Sequence, residues 1–256
     1  MLDYEKLAEQ RKLEMLKPLV VKDLVVLDAG TGEGAMTTFL AKRIGNGVII
    51  SADLDPSCLE VTRGELCKEN LLDKVSLHEA DLRNLDFVET RSIDLVVAYG
   101  TLGTIEDYTP EGTISVLREF FRVLKPGAFL CMTGELEIEG EGDDAQVTYK
   151  RFERLEWAIA VLIGDSHEVN WSPEWVKERL EEIGFENIYW RRIDRGIVLD
   201  LRYLENWSSH LRRNIHRITS RDLQAAFLGE MDNIEKAARI SGFKANPAYA
   251  IYGRKP

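Results

Sequence analysis

Between residues 23 and 135, short runs of Val, Ile and Leu alternate with segments of helical spacing, and this alternation constrains the fold more than any other feature. The runs are "DLVVLDAG" (23–30), "GVIISADLD" (47–55), "VSLHEAD" (75–81), "IDLVVAYG" (93–100) and "AFLCMTGE" (128–135). Helical patterns occupy 34–44, 57–70 and 111–124 between them. Nearly continuous apolar strands joined by amphipathic helices belong to a parallel sheet covered on both faces. Ahead of them, residues 4–17 read as a helix that Pro18 ends, with Leu7, Leu13 and Leu16 toward the protein.

Beyond Gly134 the character changes. Residues 135–144, "ELEIEGEGDD", carry six acids and no base and read as a mobile surface loop. A helix is expected over 147–164, with Phe152, Leu155, Ile159 and Leu162 on one face and Gly164 as its stop. "WSPEWVKERLEEIGF" (171–185) offers Ser172 as N-cap, Pro173 at the first helical position and Gly184 as C-cap. "ENIYWRRI" reads as a sixth strand. A helical segment with Leu223, Phe227, Met231 and Ile234 on one face precedes a terminal strand, "AYAIYGRKP". The expected organisation is an N-terminal helix (1–22), a cofactor-binding core (23–135), an insertion or lid (136–171), completion of the core sheet (172–194 and 246–256) and a helical insertion or lid (195–245).

The chain's 256 residues carry a net charge of −11, which argues against indiscriminate attraction to nucleic acid or an anionic membrane. No apolar run approaches a membrane span. Cys58, Cys67 and Cys131 are odd in number and lack metal-ligand spacing, so they read as small core hydrophobes in a reduced, cytoplasmic protein. No metal site is expected.

The turn after the first strand fits two templates. Gly30, Gly32 and Ala35 satisfy a relaxed nicotinamide-dinucleotide pattern, while Asp28, Gly30, Gly32 and Gly34 satisfy a methyltransferase pattern. Asp28 tips the balance: a carboxylate opposes a pyrophosphate but suits a sulfonium and an α-amino group. Asp53, ending the second strand, can accept two hydrogen bonds from a ribose diol, with Asp55 as the alternative. Asp81 can accept from an adenine amino group while the backbone N–H of Leu82 donates to the ring; a turn aspartate is the competing reading.

"LDAGTGEG", "SADLDP", "EADLRNL", "IDLVVAYGTL" and "VLREFFRVLKPGAFL" stand in one order at compatible intervals. Together they resemble the class I S-adenosylmethionine-dependent methyltransferases, particularly the ubiquinone/menaquinone-methyltransferase-like branch acting on small molecules. The resemblance implies an α/β fold: a doubly wound, mostly parallel, seven-stranded Rossmann-like sheet whose last strand is antiparallel, with helical lid insertions. It implies S-adenosyl-L-methionine as cofactor and S-adenosyl-L-homocysteine as product. Gly30, Thr31, Gly32 and Gly34 would line the methionine moiety, Asp53 would take the ribose, Asp81 and Leu82 the adenine, and Leu54 would also contact the cofactor. Tyr99 and Gly100 would lie near the methyl group. "AYGTLGT" replaces the Asn/Asp-Pro-Pro-Tyr/Phe signature of amino-methylating nucleic-acid and protein enzymes, which disfavours such substrates.

Methyl transfer needs no triad, so no catalytic residue is assigned. Tyr149, Arg151, His167 and Trp171 are candidates to face the acceptor, although Arg151 also reads as a solvated helix residue and Trp171 as packing before the Ser172 cap. Residues 190–222 hold eight arginines, Arg212 and Arg213 among them, against four acids. These either attract an anionic small acceptor or pair with the 135–144 acids and solvate a helix. A cofactor-binding scaffold without turnover, and an RNA or protein methyltransferase, are the alternative functions.

Overall fold

The computed structural model describes residues 4–105, 109–137, 142–165 and 169–256. Its centre is one seven-stranded sheet. In chain order the strands are β1 (Val25–Ala29), β2 (Val48–Asp53), β3 (Val75–Glu79), β4 (Ile93–Ala98), β5 (Leu124–Glu135), β6 (Glu186–Arg192) and β7 (Ala248–Arg254). They lie side by side as β3-β2-β1-β4-β5-β7-β6. The first five pair in parallel, whereas β7 runs antiparallel to both β5 and β6. The order reverses direction at β1, which places the carboxyl ends of β1 and β4 at the topological switch point where open α/β sheets bind ligands.

Helices cover both faces, as buried apolar strands require. Helices α1 (Tyr4–Leu16), α2 (Ala35–Ala41) and α3 (Pro56–Lys68) share one side. There Met15, Phe39, Leu40, Ile44 and Leu66 pack against Val26, Leu95 and Val97. Helices α4 (Pro110–Val123) and α6 (Pro173–Ile183) share the other, with Val116, Phe120, Val176 and Leu180 against Leu27, Val96 and Ile251. Helix α6 has the expected caps: Ser172 Oγ accepts from Trp175 N, Pro173 opens the helix, and Gly184 closes it at φ +109°.

Helices α5 (Asp144–Ile163), α7 (Leu201–Ile215) and α8 (Arg221–Ser241) build a separate cluster from Phe152, Ile159, Leu204, Leu211, Met231 and Phe243.

Several expectations need correction. Leu13 is exposed, and Met15 fills the place beneath α1, because the apolar face of this helix is narrower than its leucines suggest. Leu162 and Leu223 are exposed ends of otherwise buried stripes. Of the cysteines only Cys131 is buried; Cys58 is half-buried and Cys67 exposed. The acidic 135–144 stretch is not one loop: Glu135 ends β5, and Asp143 caps α5 through a reciprocal box with Gln146, while 138–141 lie outside the described residues. Strand β5 begins four residues earlier than the apolar pattern: Leu124 pairs with Ile93, and the register shifts before Phe129 meets Leu95.

Candidate active site

The turn after β1 is built by glycines where side chains cannot go. Gly30 has φ +80°, and a Cβ there would sit 2.5 Å from the Thr101 side chain. Thr101 Oγ1 in turn donates to Ala29 O at 2.7 Å, fixing the segment after β4 against the end of β1. Gly30 N and Thr31 N both donate to Ala52 O, and Gly32 N donates to Asp53 Oδ2 at 2.7 Å. The loop is thereby bolted to β2. By contrast, a Cβ on Gly32 (φ +51°) or Gly100 (φ +72°) would meet nothing within 4 Å. The backbone at these two positions borders open space, as close approach to a ligand requires.

Gly30, Asp53, Leu54, Asp81 and Leu82 line one hollow across the carboxyl ends of β1, β2 and β3, closed on one side by Thr101 and Ile105. Asp55 does not line it; it is the exposed N-cap of α3, accepting from Ser57 N at 2.8 Å. Asp81 faces the hollow while also accepting from Arg83 N and from Arg83 Nη2 at 2.6 Å, and this pairing holds its carboxyl below the usual range. The cavity and turn readings of Asp81 therefore coexist.

Asp28 lies deeper than the sequence suggests. It is fully buried beside α2 rather than lining the hollow. Its Oδ2 accepts from Thr37 Oγ1 at 2.5 Å, which is linked in turn to Ser51 Oγ at 2.8 Å. Burial pushes its carboxyl up to about 7, against the hydrogen bonds from Thr37 and Ser51. Its Oδ1 is buried and unpartnered, as is Thr31 Oγ1.

Two neighbours on α1 carry no motif and escape sequence analysis. Lys12 Nζ donates to Ala35 O at the start of α2, and its charge reaches Asp28. Arg11 donates through Nε to Asp194 and also bonds Tyr99, whose hydroxyl burial pushes upward. Arg11 Nη2 is a third buried atom with no partner. Tyr99 stands two residues beyond Val97, the register partner of Asp28. A carboxylate oxygen and a hydroxyl at the glycine turn, Asp28 Oδ1 and Thr31 Oγ1, and a guanidinium nitrogen beside Tyr99, Arg11 Nη2, are thus all unsatisfied. Buried polar atoms are seldom left so, and opposite charges suit the ammonium and carboxylate of an amino-acid group.

A second hollow borders the same segment after β4, through Gly100, Leu102 and Gly103 where the first has Thr101 and Thr104. Gly100, Gly103, Thr133, Gly134, Glu135, Asn170, Trp171 and Tyr249 line it. Gly100 N donates to Thr133 Oγ1 at 2.8 Å, Tyr249 Oη donates to Trp171 O at 2.9 Å, and Trp171 stacks on Trp175 at 4.1 Å. Trp171 is therefore both a packing residue and a wall. Asn170 also borders a cavity of about 380 Å³ between α5 and α7, to which Tyr149, Phe152, Glu153, Trp157 and Trp207 contribute.

Other predicted acceptor residues lie elsewhere. Arg151 does not face this cavity; it pairs with Glu230 of α8 at 2.8 Å. Arg212 is held by Asp232 at 2.7 Å and Glu235 at 3.1 Å, Arg213 is exposed, and neither borders the cavity. His167 lies outside the described residues. Among the described residues no cluster of metal-ligating side chains occurs.

Residues 26–127 match the family described as the methyltransferase domain, a span running from β1 through the glycine turn, Asp53, Asp81 and Gly100 into β5. Residues 26–127 of the chain thus carry a methyltransferase domain. It is 27% identical over 186 residues to the ubiquinone/menaquinone biosynthesis C-methyltransferase of Marinomonas sp. (strain MWYL1), covering 68% of this chain and 70% of that one. Among solved structures it resembles the YcgJ protein of Bacillus subtilis, with TM-score 0.64, 15% identity and coverage of 96% and 97%. It also resembles the [4+2]-cyclase SpnF, with TM-score 0.59, 21% identity and coverage of 98% and 80%. These structural likenesses concern the fold. The methyltransferase uses S-adenosylmethionine, and the open glycine turn with its unsatisfied atoms fits that cofactor.

Proposed function

We propose that this methyltransferase methylates a small acceptor seated between the carboxyl ends of β4 and β5 and the three-helix cluster of α5, α7 and α8. The observation that supports this reading is the succession of hollows: Thr101 and Thr104 border the cradle, Gly100, Leu102 and Gly103 of the same segment border the second hollow, and Asn170 is shared by the second hollow and the larger cavity. S-adenosylmethionine supplies a sulfonium methyl group for in-line displacement, leaving S-adenosylhomocysteine.

In this reading Arg11 and Asp28 hold the amino-acid end, with Thr31 and the Gly30–Gly34 turn along it. Asp53 and Leu54 hold the ribose, and Asp81 and Leu82 the adenine. Tyr99 and Gly100 sit where the two hollows meet, beside the reacting methyl. Asp53 accepts loop amides through both oxygens, and each oxygen retains a second lone pair for a diol. The chain's contribution to rate is positioning and exclusion of water. The α5, α7 and α8 cluster acts as the lid that does both. A reduced compartment such as the cytoplasm suits its free cysteines.

The test is transfer of labelled methyl from S-adenosylmethionine to a small-molecule extract, compared with RNA and protein fractions. Label in the small-molecule fraction is expected. Label in RNA or protein alone would overturn the proposal. Bound S-adenosylhomocysteine with no transfer to any fraction would favour a cofactor-dependent scaffold.

A further inference from the structure

Asp194 stands two residues beyond β6, and its two carboxylate oxygens have separate partners. Oδ1 accepts from Gly196 N at 2.8 Å and from Ala248 N at 3.0 Å. These bonds join the end of β6 to the start of β7, at the point where the chain leaves the sheet for α7 and α8 and returns from them. Oδ2 accepts from Arg11 Nε on α1. The side chains are only 19% and 13% exposed, so water does little to weaken the pair. Two backbone amides fix where the carboxylate stands, and the carboxylate in turn fixes the guanidinium.

Helix α1 has other anchors. Tyr252 Oη donates to Met15 O at 2.7 Å, Arg191 donates to Glu14 O, and Met15 is fully buried. The bond to Asp194 is therefore not what docks the helix; it decides where one long, rotamer-rich side chain on that helix points. A guanidinium carries its donors in a rigid fork, so a partner on Nε sets the direction of Nη2. Arg11 Nη2 is buried beside Tyr99, at the carboxyl end of β4, and has no hydrogen-bond partner.

We infer that Asp194 is a positioning residue for the cofactor: through Oδ2 it aims Arg11 so that Nη2 meets the carboxylate of S-adenosylmethionine. This rests on the reading of Arg11 as a holder of the amino-acid end. The guanidinium stands between the two carboxylates and touches both, whereas they are farther from each other, so attraction outweighs their mutual repulsion.

Asp194→Asn separates the roles of the two oxygens. An amide oxygen can still accept from Gly196 N and Ala248 N, but an amide NH2 cannot accept from Arg11 Nε. Calorimetric titration of the full chain compares S-adenosylhomocysteine with its decarboxylated analogue, which keeps the adenosine, thioether and amine. The parent chain should prefer S-adenosylhomocysteine by about tenfold or more. Asp194→Asn should remove most of that preference, weakening S-adenosylhomocysteine by about tenfold while the analogue, which reports an intact fold, stays within about twofold. Arg11→Lys leaves Asp194 and its backbone bonds in place but lacks the fork, and should lose the preference as well. In an Arg11→Ala chain, Asp194→Asn should change neither affinity further. Equal weakening of both ligands by Asp194→Asn, an undiminished preference in either single variant, or a further loss in the Arg11→Ala chain would overturn the proposal. A parent chain without the preference, or a preference that survives Arg11→Ala, would strike the reading of Arg11 itself and the proposal with it.

Discussion

The two halves of the site are assembled in opposite ways. Around the proposed cofactor cradle, Arg11 apart, the binding groups sit at or just beyond strand ends, where short bonds tie neighbouring strands: Gly32 to Asp53, Gly30 to Ala52, Thr101 to Ala29. Around the proposed acceptor cavity, the walls come from helices about fifty residues apart in sequence, α5 and α7, and the single side chain of Asn246 joins Glu153 of α5 to Glu135 of β5. The cradle is specified by backbone, so few side chains could alter it without breaking the loop. The cavity is specified by side chains, so its specificity can change while the sheet stays constant.

Substitutions can break or sharpen this contrast. The largest effect is expected at Asp53→Ala, which removes the loop's anchor and the diol acceptor together. Retention of S-adenosylhomocysteine, measured by calorimetry, should fall by about a hundredfold or more. A loss confined to the acceptor would show that the cradle is not the cofactor site.

Arg11→Ala should weaken the same ligand by about tenfold, since one charge-assisted contact is lost. Unchanged affinity would leave Arg11 a structural partner of Asp194 and Tyr99 alone.

The pH dependence is subtler. Asp28 has a folded-state value raised from 3.8 to about 7, so the native protein binds the extra proton between those limits. The stability contribution of this group is therefore present at low pH and lost as pH rises toward 7, at up to about 1.4 kcal/mol per pH unit. A ligand ammonium would favour ionised Asp28, so S-adenosylhomocysteine should bind several-fold more tightly at pH 7.5 than at pH 6. Asp28→Asn should flatten both profiles, in denaturant melts and in calorimetry. Profiles identical to those of the parent chain would remove Asp28 from the cofactor site.

Arg212→Ala should do least. Its pairs with Asp232 and Glu235 are partly exposed, worth roughly 1 kcal/mol or less, so melting falls by about 2–4 °C at most. Acceptor KM should not change. A raised KM would revive the anionic acceptor.

How much of this was legible in the sequence follows from the same contrast. Strand ends and glycine turns are local, so "LDAGTGEG", "SADLDP" and "EADLRNL" led to residues that line one hollow in the structure. The cradle's exception is Asp28, whose depth depends on α1 and α2 closing over it, which no short motif encodes. Arg11 and Lys12 were missed for the same reason, being ordinary charges on a helix until that helix docks. Glu153 and Trp207 belong to helices whose relative placement only tertiary packing decides. Counting arginines gave no direction because a side chain's partner, not its composition, sets where its charge points: Arg212 and Arg151 both turn to α8.

Strand β6 pairs only with β7, and residues 193–247 separate the two in sequence. During synthesis, β6 therefore emerges with no neighbour to receive it, and the helices α7 and α8 are made before the sheet can close. Pairings between distant segments are slow, and an unpaired strand is exposed to association in the meantime. The strand that joins β6 to the sheet, β7, is made only after both helices. Asn246, two residues before that strand, joins Glu135 of β5 to Glu153 of α5, so this junction between sheet and helix forms only in the same late step.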